Sequence, residues 1–271
     1  MTEGQVLRLR NARVFKTDGT TTNRAYLVAN TYSGQKILEG TPNDTKAMRG
    51  MLGMMDATPY SVTVDRDKGK SGILSGVASV FADADDDDVS LFFFSGHGSS
   101  GGRILGNDFL SISPSELRSA LDAVSGKKIV IVDACYSGAI IQKSAALTAA
   151  SLTSKDGEET EEENEEETVT QSEVSSFASS FVSGFRPKLL AKADGYLNEE
   201  PYLVLCACTG SQESWQAYFS GVAMGVLTRA LTVGCGWNGV TDTRLSTMKA
   251  DSNGDSKITL AEAYSYSASK V

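Results

Sequence analysis

The sequence predicts an α/β protein in which a mostly parallel central sheet is flanked by helices. Segments with strand character alternate along the chain with segments of helical apolar spacing, which is the pattern of this fold class. The strand segments at 89–94 (VSLFFF) and 128–133 (KIVIVD) are almost continuously apolar, as expected for strands covered on both faces. The length of 271 residues and the hydrophobic fraction of 41% suit one domain with a sizeable core.

The predicted elements follow one another from residue 24 to residue 231. The first helix has Pro42 in its first turn, where proline is favoured. A later helix opens with Ser113 as its expected N-cap and Glu116 as the partner in a capping box. The predicted strands lie at 24–30, 60–64, 89–94, 128–133 and 202–208. The predicted helices lie at 42–55, at 70–81, from Ser113 onward and at about 222–231.

One segment, residues 140–195, interrupts this alternation within the single predicted domain, 1–271. It is rich in Ser, Thr and Glu, and its part between Lys155 and Glu173 holds ten acids and one base. That part accounts for the whole formal net charge of −9, so the rest of the chain is neutral. Such a composition buries too little apolar surface to fold alone, and we expect a disordered acidic insertion. The alternative is a solvated, glutamate-rich helix.

Composition also excludes several classes of partner. A neutral body without a basic stripe gives no electrostatic footprint for nucleic acid, and no apolar run approaches the roughly 20 residues of a membrane span. The first ten residues lack a hydrophobic signal core, which fits a cytoplasmic protein or one whose signal peptide has been removed. Four cysteines and one histidine predict neither a disulfide framework nor a zinc site. We therefore expect no nucleic acid and no membrane partner, and the sequence leaves the oligomeric state open.

Two predicted strands end in unusual turns. His97, the single histidine of the chain, stands between two glycines in Ser-Gly-His-Gly (95–98) directly after a buried strand. Cys135 lies two residues past another buried strand, in Asp-Ala-Cys-Tyr-Ser-Gly (133–138). The carboxyl ends of strands in an open α/β sheet form its reactive edge, and a nucleophilic cysteine needs a base within reach. The pair therefore predicts cysteine catalysis, whereas either residue alone would be read as a core or surface side chain.

These two motifs, about forty residues apart, resemble those of the caspase-like cysteine peptidases, a superfamily that includes caspases, metacaspases, legumains and clostripain-type enzymes. Weaker similarities extend over most of the chain, and the bacterial caspase/metacaspase-like peptidases match best. The segment 24–28 resembles the opening strand of the family, 42–45 the metacaspase-type segment before the first helix, and 211–215 a substrate-binding loop. The resemblance implies the three-layer caspase-like fold.

The resemblance also implies roles for individual residues. Cys135 is the expected nucleophile and His97 the general acid and base, with no third catalytic residue required to orient the histidine. The backbone N–H groups of Gly98 and Cys135 are expected to hold the oxyanion. The substrate-binding residues it suggests are Ser95, Ser214 and Trp215.

Two acids, Asp44 and Asp133, are the candidate specificity residues. The matching acids of metacaspases line a pocket for arginine or lysine, and a buried carboxylate pair complements a cationic side chain. The alternative is that Asp44 caps its helix and Asp133 bonds a turn. Arg24 is in conflict with a basic specificity, because a caspase-like strand can supply a substrate-binding arginine at this place, where it would favour aspartate.

A further motif, residues 251–262, fits the spacing of an EF-hand-like calcium loop. Ser256 departs from the glycine expected at the sixth position, and Gly254 stands two residues earlier. The alternative is an Asp/Asn/Gly turn without a metal. The predicted Ca²⁺ ligands are Asp251, Asn253, Asp255, Thr259 and Glu262.

Taken together, these features predict a cysteine endopeptidase that uses a Cys–His dyad to cleave protein or peptide substrates after Arg or Lys. The chemistry requires no cofactor, and Ca²⁺ is the ion that the sequence suggests. We also expect self-processing within the acidic insertion, where Lys143, Lys155, Arg186, Lys188 and Lys192 offer basic sites. The alternative is a non-catalytic caspase-like or calcium-binding interaction module.

Overall fold

The computed structural model describes residues 18–54, 59–141 and 202–271. The predicted disordered insertion lies outside these residues except for Ile140 and Ile141. Ile140 is fully buried and belongs to a short 3₁₀-helix, Ser137–Ile141, so the described fold continues past the predicted start of the insertion.

Twelve strands and five helices are described in these ranges. The strands are β1 (Asn23–Ala29), β2 (Tyr60–Arg66), β3 (Val89–Ser95), β4 (Gly98–Ser99), β5 (Arg103–Leu105), β6 (Ser111–Ile112), β7 (Lys127–Asp133), β8 (Tyr202–Cys206), β9 (Gln216–Phe219), β10 (Val222–Gly225), β11 (Trp237–Asn238) and β12 (Thr243–Arg244). The helices are α1 (Thr41–Leu52), α2 (Lys70–Val80), α3 (Pro114–Asp122), α4 (Val226–Gly234) and α5 (Leu260–Ala268).

The central sheet confirms the predicted α/β class. Its five strands run in the order β2-β1-β3-β7-β8, and every pair is parallel. The chain passes from β1 to β2 on one side and then crosses back to β3 on the other side of β1. Because the strand order changes direction there, the crossover helices lie on both faces of the sheet. Three short antiparallel sheets, β4-β5-β6, β9-β10 and β11-β12, complete the described strands.

Two apolar cores, one on each face of the sheet, make the three layers. Because successive side chains of a strand point to opposite faces, Phe92 and Phe94 enter one core and Phe93 enters the other. The first core packs against α2 and α3, and the second packs against α1, α4 and α5. The predicted capping box of Ser113 and Glu116 is present at the start of α3.

The last predicted helix begins later than expected. Residues 222–225 form strand β10, and α4 starts only at Val226. Ser220 and Gly221, both with positive φ (51° and 81°), form the two-residue turn of a hairpin with β9. This geometry matches the right-handed twist of paired strands. The four apolar or small residues of β10 are too few to distinguish a strand from a first helical turn.

Within the described ranges, every helix falls short of the length and apolar character needed to cross a membrane.

Candidate active site

The register of the central sheet brings the two predicted catalytic turns side by side. Ser95 at the end of β3 pairs with Asp133 at the end of β7, so His97 and Cys135 each follow a paired residue by two positions. The Gly96 N–H donates to the Asp133 carbonyl at 3.2 Å and extends the contact beyond the strands. The fold thus places imidazole and thiol at the same carboxyl edge of the sheet.

Gly98 allows the two turns to approach closely. A Cβ atom at this position would lie 2.0 Å from the carbonyl oxygen of Cys135 and 3.1 Å from its nitrogen. Any side chain here would push the two backbone segments apart. Glycine therefore follows the histidine because the turn packs directly on the backbone of the cysteine.

The His97 ring is fixed by a group that the sequence did not indicate. Nε2 lies 2.8 Å from the carbonyl oxygen of Lys36. Since a carbonyl oxygen only accepts, Nε2 carries the proton in this bond and Nδ1 is left as the basic nitrogen. Burial lowers the pKa of His97, and the positive charge of Lys36 acts in the same direction, against the opposing effect of the Lys36 hydrogen bond.

Cys135 is half-buried, and its sulfur contacts the backbone of Ser214. The Ser214 N–H lies 3.4 Å from Sγ, and Sγ lies 3.7 Å from the Ser214 carbonyl oxygen. Burial raises the pKa of the Cys135 thiol to about 11, and the negative charges of Glu213 and Asp133 add to this effect. In the described residues, no hydrogen bond joins the thiol to the His97 ring.

The backbone hydrogen bonds locate the N–H groups of the two predicted oxyanion residues, Cys135 and Gly98. Among the described residues, the Cys135 N–H has no hydrogen-bond acceptor. Leu105 N–H donates to the His97 carbonyl at 3.0 Å, which makes the adjacent Gly98–Ile104 pair of the antiparallel ladder a non-hydrogen-bonded one. The strand pairing therefore leaves the Gly98 N–H directed away from β5.

Asp44 and Asp133 come together although 88 residues separate them. A Cβ atom at Gly225 would lie 2.2 Å from Oδ2 of Asp133 and 3.1 Å from Oδ2 of Asp44, so the two carboxylates flank this glycine. Asp44 is fully buried and Asp133 is 5% exposed. Burial raises the pKa of both groups, and the charge of Asp133 raises that of Asp44 further.

Hydroxyl and backbone donors satisfy both carboxylates. Asp44 accepts from the Ser95 hydroxyl at 2.7 Å and from the Gly225 N–H at 2.9 Å, and as the fourth residue of α1 it makes no helix cap. Asp133 accepts from the Ser214 hydroxyl at 2.9 Å. It also accepts from the N–H and hydroxyl of Thr228, in the first turn of α4, at 3.0 and 2.6 Å. Ser95 and Ser214, two of the predicted substrate-binding residues, therefore each donate to one of the two acids.

The other two substrate-binding candidates lie differently. Arg24 is at the amino end of β1, opposite the edge that carries His97 and Cys135, and its guanidinium pairs with Asp88 at 2.5 Å. It therefore does not compete with the two acids for a role in specificity. Trp215 is 44% exposed and follows Ser214 directly, with its carbonyl bonded to the Val226 N–H at 3.0 Å.

The C-terminal loop folds around its first acid. Oδ1 of Asp251 accepts from the N–H groups of Gly254 and Asp255 at 2.8 and 3.2 Å, and Oδ2 accepts from the Ser256 N–H at 2.9 Å. Ser256 takes a positive φ of 64°, the conformation for which a glycine is expected at the sixth position. The chain thus turns around Asp251 as an ion-binding loop requires.

Glu262, the twelfth residue of that loop, has a second role that the sequence analysis did not include. Its carboxylate accepts from the N–H and hydroxyl of Thr259 at 3.0 and 2.8 Å in a capping box at the start of α5. Its other oxygen accepts from the hydroxyl of Ser252 at 2.9 Å. The oxygen ligands fit Ca²⁺ by their chemistry, but Glu262 would have to exchange these partners to bind it.

A cluster of three acids lies outside the candidate active site. Within the described residues, Asp85, Asp87 and Asp88 bring ligand oxygens within 4.8 Å of one another. Asp88 already pairs with Arg24 and accepts from the Thr22 N–H at 2.6 Å. This group therefore has a structural use at the edge of the sheet opposite the candidate site.

The comparison with known families agrees with this geometry. A family model described as the caspase domain matches residues 22–247, which include the turns that carry His97 and Cys135 and all five strands of the central sheet. No curated protein matches the sequence. Since the match covers most of the chain and the fold is a parallel sheet between helical layers, the protein is a member of the caspase family and a cysteine-type endopeptidase.

Proposed function

We propose that this peptidase cleaves proteins or peptides after Arg or Lys, with Cys135 as nucleophile and His97 as general base and acid. The observation that carries the proposal is the pairing of Ser95 with Asp133. This pairing sets the thiol, the imidazole and two buried carboxylates at one edge of the sheet.

Both catalytic groups are neutral at rest near pH 7, since burial raises the pKa of Cys135 and lowers that of His97. The thiol therefore loses its proton as it reacts. Nδ1 of His97 accepts that proton while Sγ bonds to the scissile carbonyl carbon, and the oxyanion forms near the N–H groups of Gly98 and Cys135. As the C–N bond breaks, the imidazolium protonates the leaving amine and a thioester remains. His97 then accepts a proton from water as the water oxygen bonds to the thioester carbon. The C–S bond breaks, the imidazolium returns the proton to Sγ, and the carboxylic acid product leaves.

The two carboxylates give the proposed preference for a basic side chain. Ser95 and Ser214 are neutral hydroxyl donors to these acids, and a guanidinium or ammonium group would have to displace them. A cation would replace neutral donors by a charge-assisted pair, and arginine can form it in bidentate geometry. An aspartate side chain of the substrate would be repelled by the two carboxylates, and an asparagine side chain would form no ion pair with them.

The decisive test profiles the purified protein on a peptide library that varies the residue before the scissile bond. We expect cleavage after Arg and Lys, and loss of all turnover in Cys135→Ala. Cys235→Ala removes a different buried free thiol, at the C-terminal end of α4, and is the matched control that keeps activity. Turnover by Cys135→Ala would remove Cys135 from the mechanism, and a preference for aspartate would overturn the proposed pocket.

We also propose that the protein cuts itself within the acidic insertion, which lies outside the described residues. The proposal follows from the basic specificity, because Lys143, Lys155, Arg186, Lys188 and Lys192 all lie in that segment. Intact-mass analysis after incubation compares the wild type with Cys135→Ala. We expect fragments in the wild type alone, and one uncut species in both proteins would contradict self-cleavage.

The third proposal is that Ca²⁺ binds residues 251–262. It is supported by the oxygen ligands at positions one, three, five, nine and twelve and by the turn of the backbone around Asp251. The loop lies beyond the residues that match the caspase domain. We therefore assign the ion to stability of the C-terminal segment rather than to the chemistry.

A further inference from the structure

The loop between β1 and α1 reaches His97 with two of its residues. A backbone bond from Leu38 N–H to the Thr31 carbonyl, 2.9 Å long, closes this loop. Lys36 supplies the carbonyl bonded to Nε2 of the imidazole. Tyr32, four residues earlier, contacts both the backbone and the ring of His97, and the proposed mechanism uses neither contact.

The Tyr32 hydroxyl fastens the backbone of His97. It accepts from the His97 N–H at 2.9 Å and donates to the Leu105 carbonyl at 2.7 Å. Leu105 in turn donates its N–H to the His97 carbonyl at 3.0 Å. These three bonds form a closed circuit, so the hydroxyl fixes the segment from which the imidazole projects.

The Tyr32 ring packs against the imidazole itself. Their centroids lie 4.4 Å apart with an angle of 42° between the planes. Phe109 packs on Tyr32 in turn, at 5.3 Å. Tyr32 is 7% exposed, and its ring helps to desolvate the histidine. The imidazole is thus held on one side by an aromatic ring and at Nε2 by a carbonyl.

Tyr32 makes these contacts from an unfavourable backbone conformation. Its φ is 59°, in the left-handed region that favours glycine, and its N–H is held by Oδ1 of Asn107 at 3.0 Å. Such conformations persist where the surrounding structure over-determines them, and they cluster at functional sites. A loop residue required only for the turn would be satisfied by glycine or asparagine.

We propose that Tyr32 is a positioning residue that holds the plane of the His97 ring so that Nε2 stays on the Lys36 carbonyl and Nδ1 is the nitrogen that takes the proton of Cys135. The inference rests on the proposed function for its consequence in catalysis. The hold of Tyr32 on the imidazole is a property of the folded protein and can be measured without substrate.

The single histidine of the chain makes this measurement direct. Nitrogen-15 NMR of the labelled protein reports the tautomer and the titration of His97 alone. In the wild type we expect the proton on Nε2 and a pKa below the usual 6.5, because burial disfavours the imidazolium. Lys36 is the charged group that acts on the ring, and it is present in every variant compared.

Two substitutions distinguish the contribution of the Tyr32 ring from that of its hydroxyl. Tyr32→Leu removes both, and we expect a mixture of tautomers, a pKa closer to 6.5 and a kcat lower by about 100-fold with KM nearly unchanged, as for a misplaced catalytic group. Tyr32→Phe keeps the ring, and we expect it to restore the Nε2–H tautomer while kcat stays about 10-fold low. Activity is expressed per folded molecule, with the folded fraction of each variant measured by circular dichroism, because the other free cysteines would also react with a thiol-directed reagent.

Tyr26→Phe is the matched control. Tyr26 is a fully buried tyrosine of β1 whose hydroxyl donates to Asp65 at 2.9 Å, so the substitution deletes a comparable hydrogen bond elsewhere. We expect it to lower stability while kcat and the His97 signals stay at wild-type values.

The possible results test the positioning role of Tyr32 and the proposed peptidase function separately. Wild-type tautomer and kcat in Tyr32→Leu would overturn the positioning role, and if that variant does not fold, wild-type kcat in Tyr32→Phe would do so. A wild-type protein that cleaves no peptide would overturn the proposed function, while the NMR comparison would still test the hold of Tyr32 on His97.

Discussion

The acids at the sheet edge and the acids of the C-terminal loop are held in opposite ways. Asp44 bonds to Ser95 and Gly225, which are 51 and 181 residues away, and it is fully buried. Asp251 bonds to N–H groups three to five residues away on an exposed loop. The first arrangement depends on the whole fold and the second on local sequence. Only the first can present charge to a substrate in a site of fixed shape.

The two environments also shift carboxyl pKa values in opposite directions. Burial raises the pKa of Asp44 and Asp133, so an arriving cation stabilises their charged forms. Hydrogen bonds from the backbone and hydroxyl of Thr259, and then from Ser252, lower the pKa of the exposed Glu262 to about 2. All three carboxylates already accept hydrogen bonds, and the edge acids differ from Glu262 in that burial disfavours their charged forms.

The largest effect in this comparison is expected for Asp44→Asn. The amide keeps the shape and an acceptor for the Gly225 N–H but removes the charge. Losing one partner of a buried charge pair costs about 2–5 kcal/mol, so kcat/KM on Arg or Lys peptides should fall by about 30-fold or more. The measurement is steady-state hydrolysis of peptides that differ only in the residue before the scissile bond.

Asp251→Asn is the matched control, because it makes the same chemical change in the exposed loop. We expect its kcat/KM to equal that of the wild type. If both variants lost activity equally, the distinction between the two acidic regions would fail. If neither did, Asp44 would have no part in binding a basic side chain.

An intermediate effect is expected from Ca²⁺ on thermal stability. A ligand at about 100 times its Kd stabilises the folded state by about 2.7 kcal/mol, which corresponds to several degrees in Tm for a chain of this size. We expect this rise in the wild type and its loss in Asp251→Asn, measured by calorimetry with and without the ion. An equal rise in both proteins would exclude the loop as the site.

The smallest effect is expected for Ser256→Gly. Ser256 has a φ of 64°, and a side chain in the left-handed region costs about 1 kcal/mol, part of which is offset by the greater freedom of glycine in the unfolded chain. The free energy of unfolding should rise by about 0.5 kcal/mol. Denaturant unfolding measures the change, and Lys257→Gly, at the next loop position and without positive φ, is expected to destabilise instead.

The sequence predicted those features of the site that depend on local pattern. His97 and Cys135 follow buried strands, and their positions at one edge follow from parallel pairing. Lys36, Tyr32 and Thr228 were missed because their contacts join distant segments and the residues themselves carry no motif. The hairpin of β9 and β10 left a usable signal, since Ser220-Gly221 between two short apolar runs is a turn sequence.

The pairing of β7 with β8 has a consequence for a chain that is cleaved between these two strands. Cys135, His97 and Asp44 precede residues 142–201, whereas Ser214, Gly225 and Thr228 follow them. Five paired positions, from Lys128–Tyr202 to Val132–Cys206, join the two parts, with β8 as the outermost strand of the central sheet. A cut in that interval would leave two fragments that share one core and one active centre. The two fragments would remain associated and would separate only on denaturation. Neither fragment alone would retain all the residues of the candidate active site.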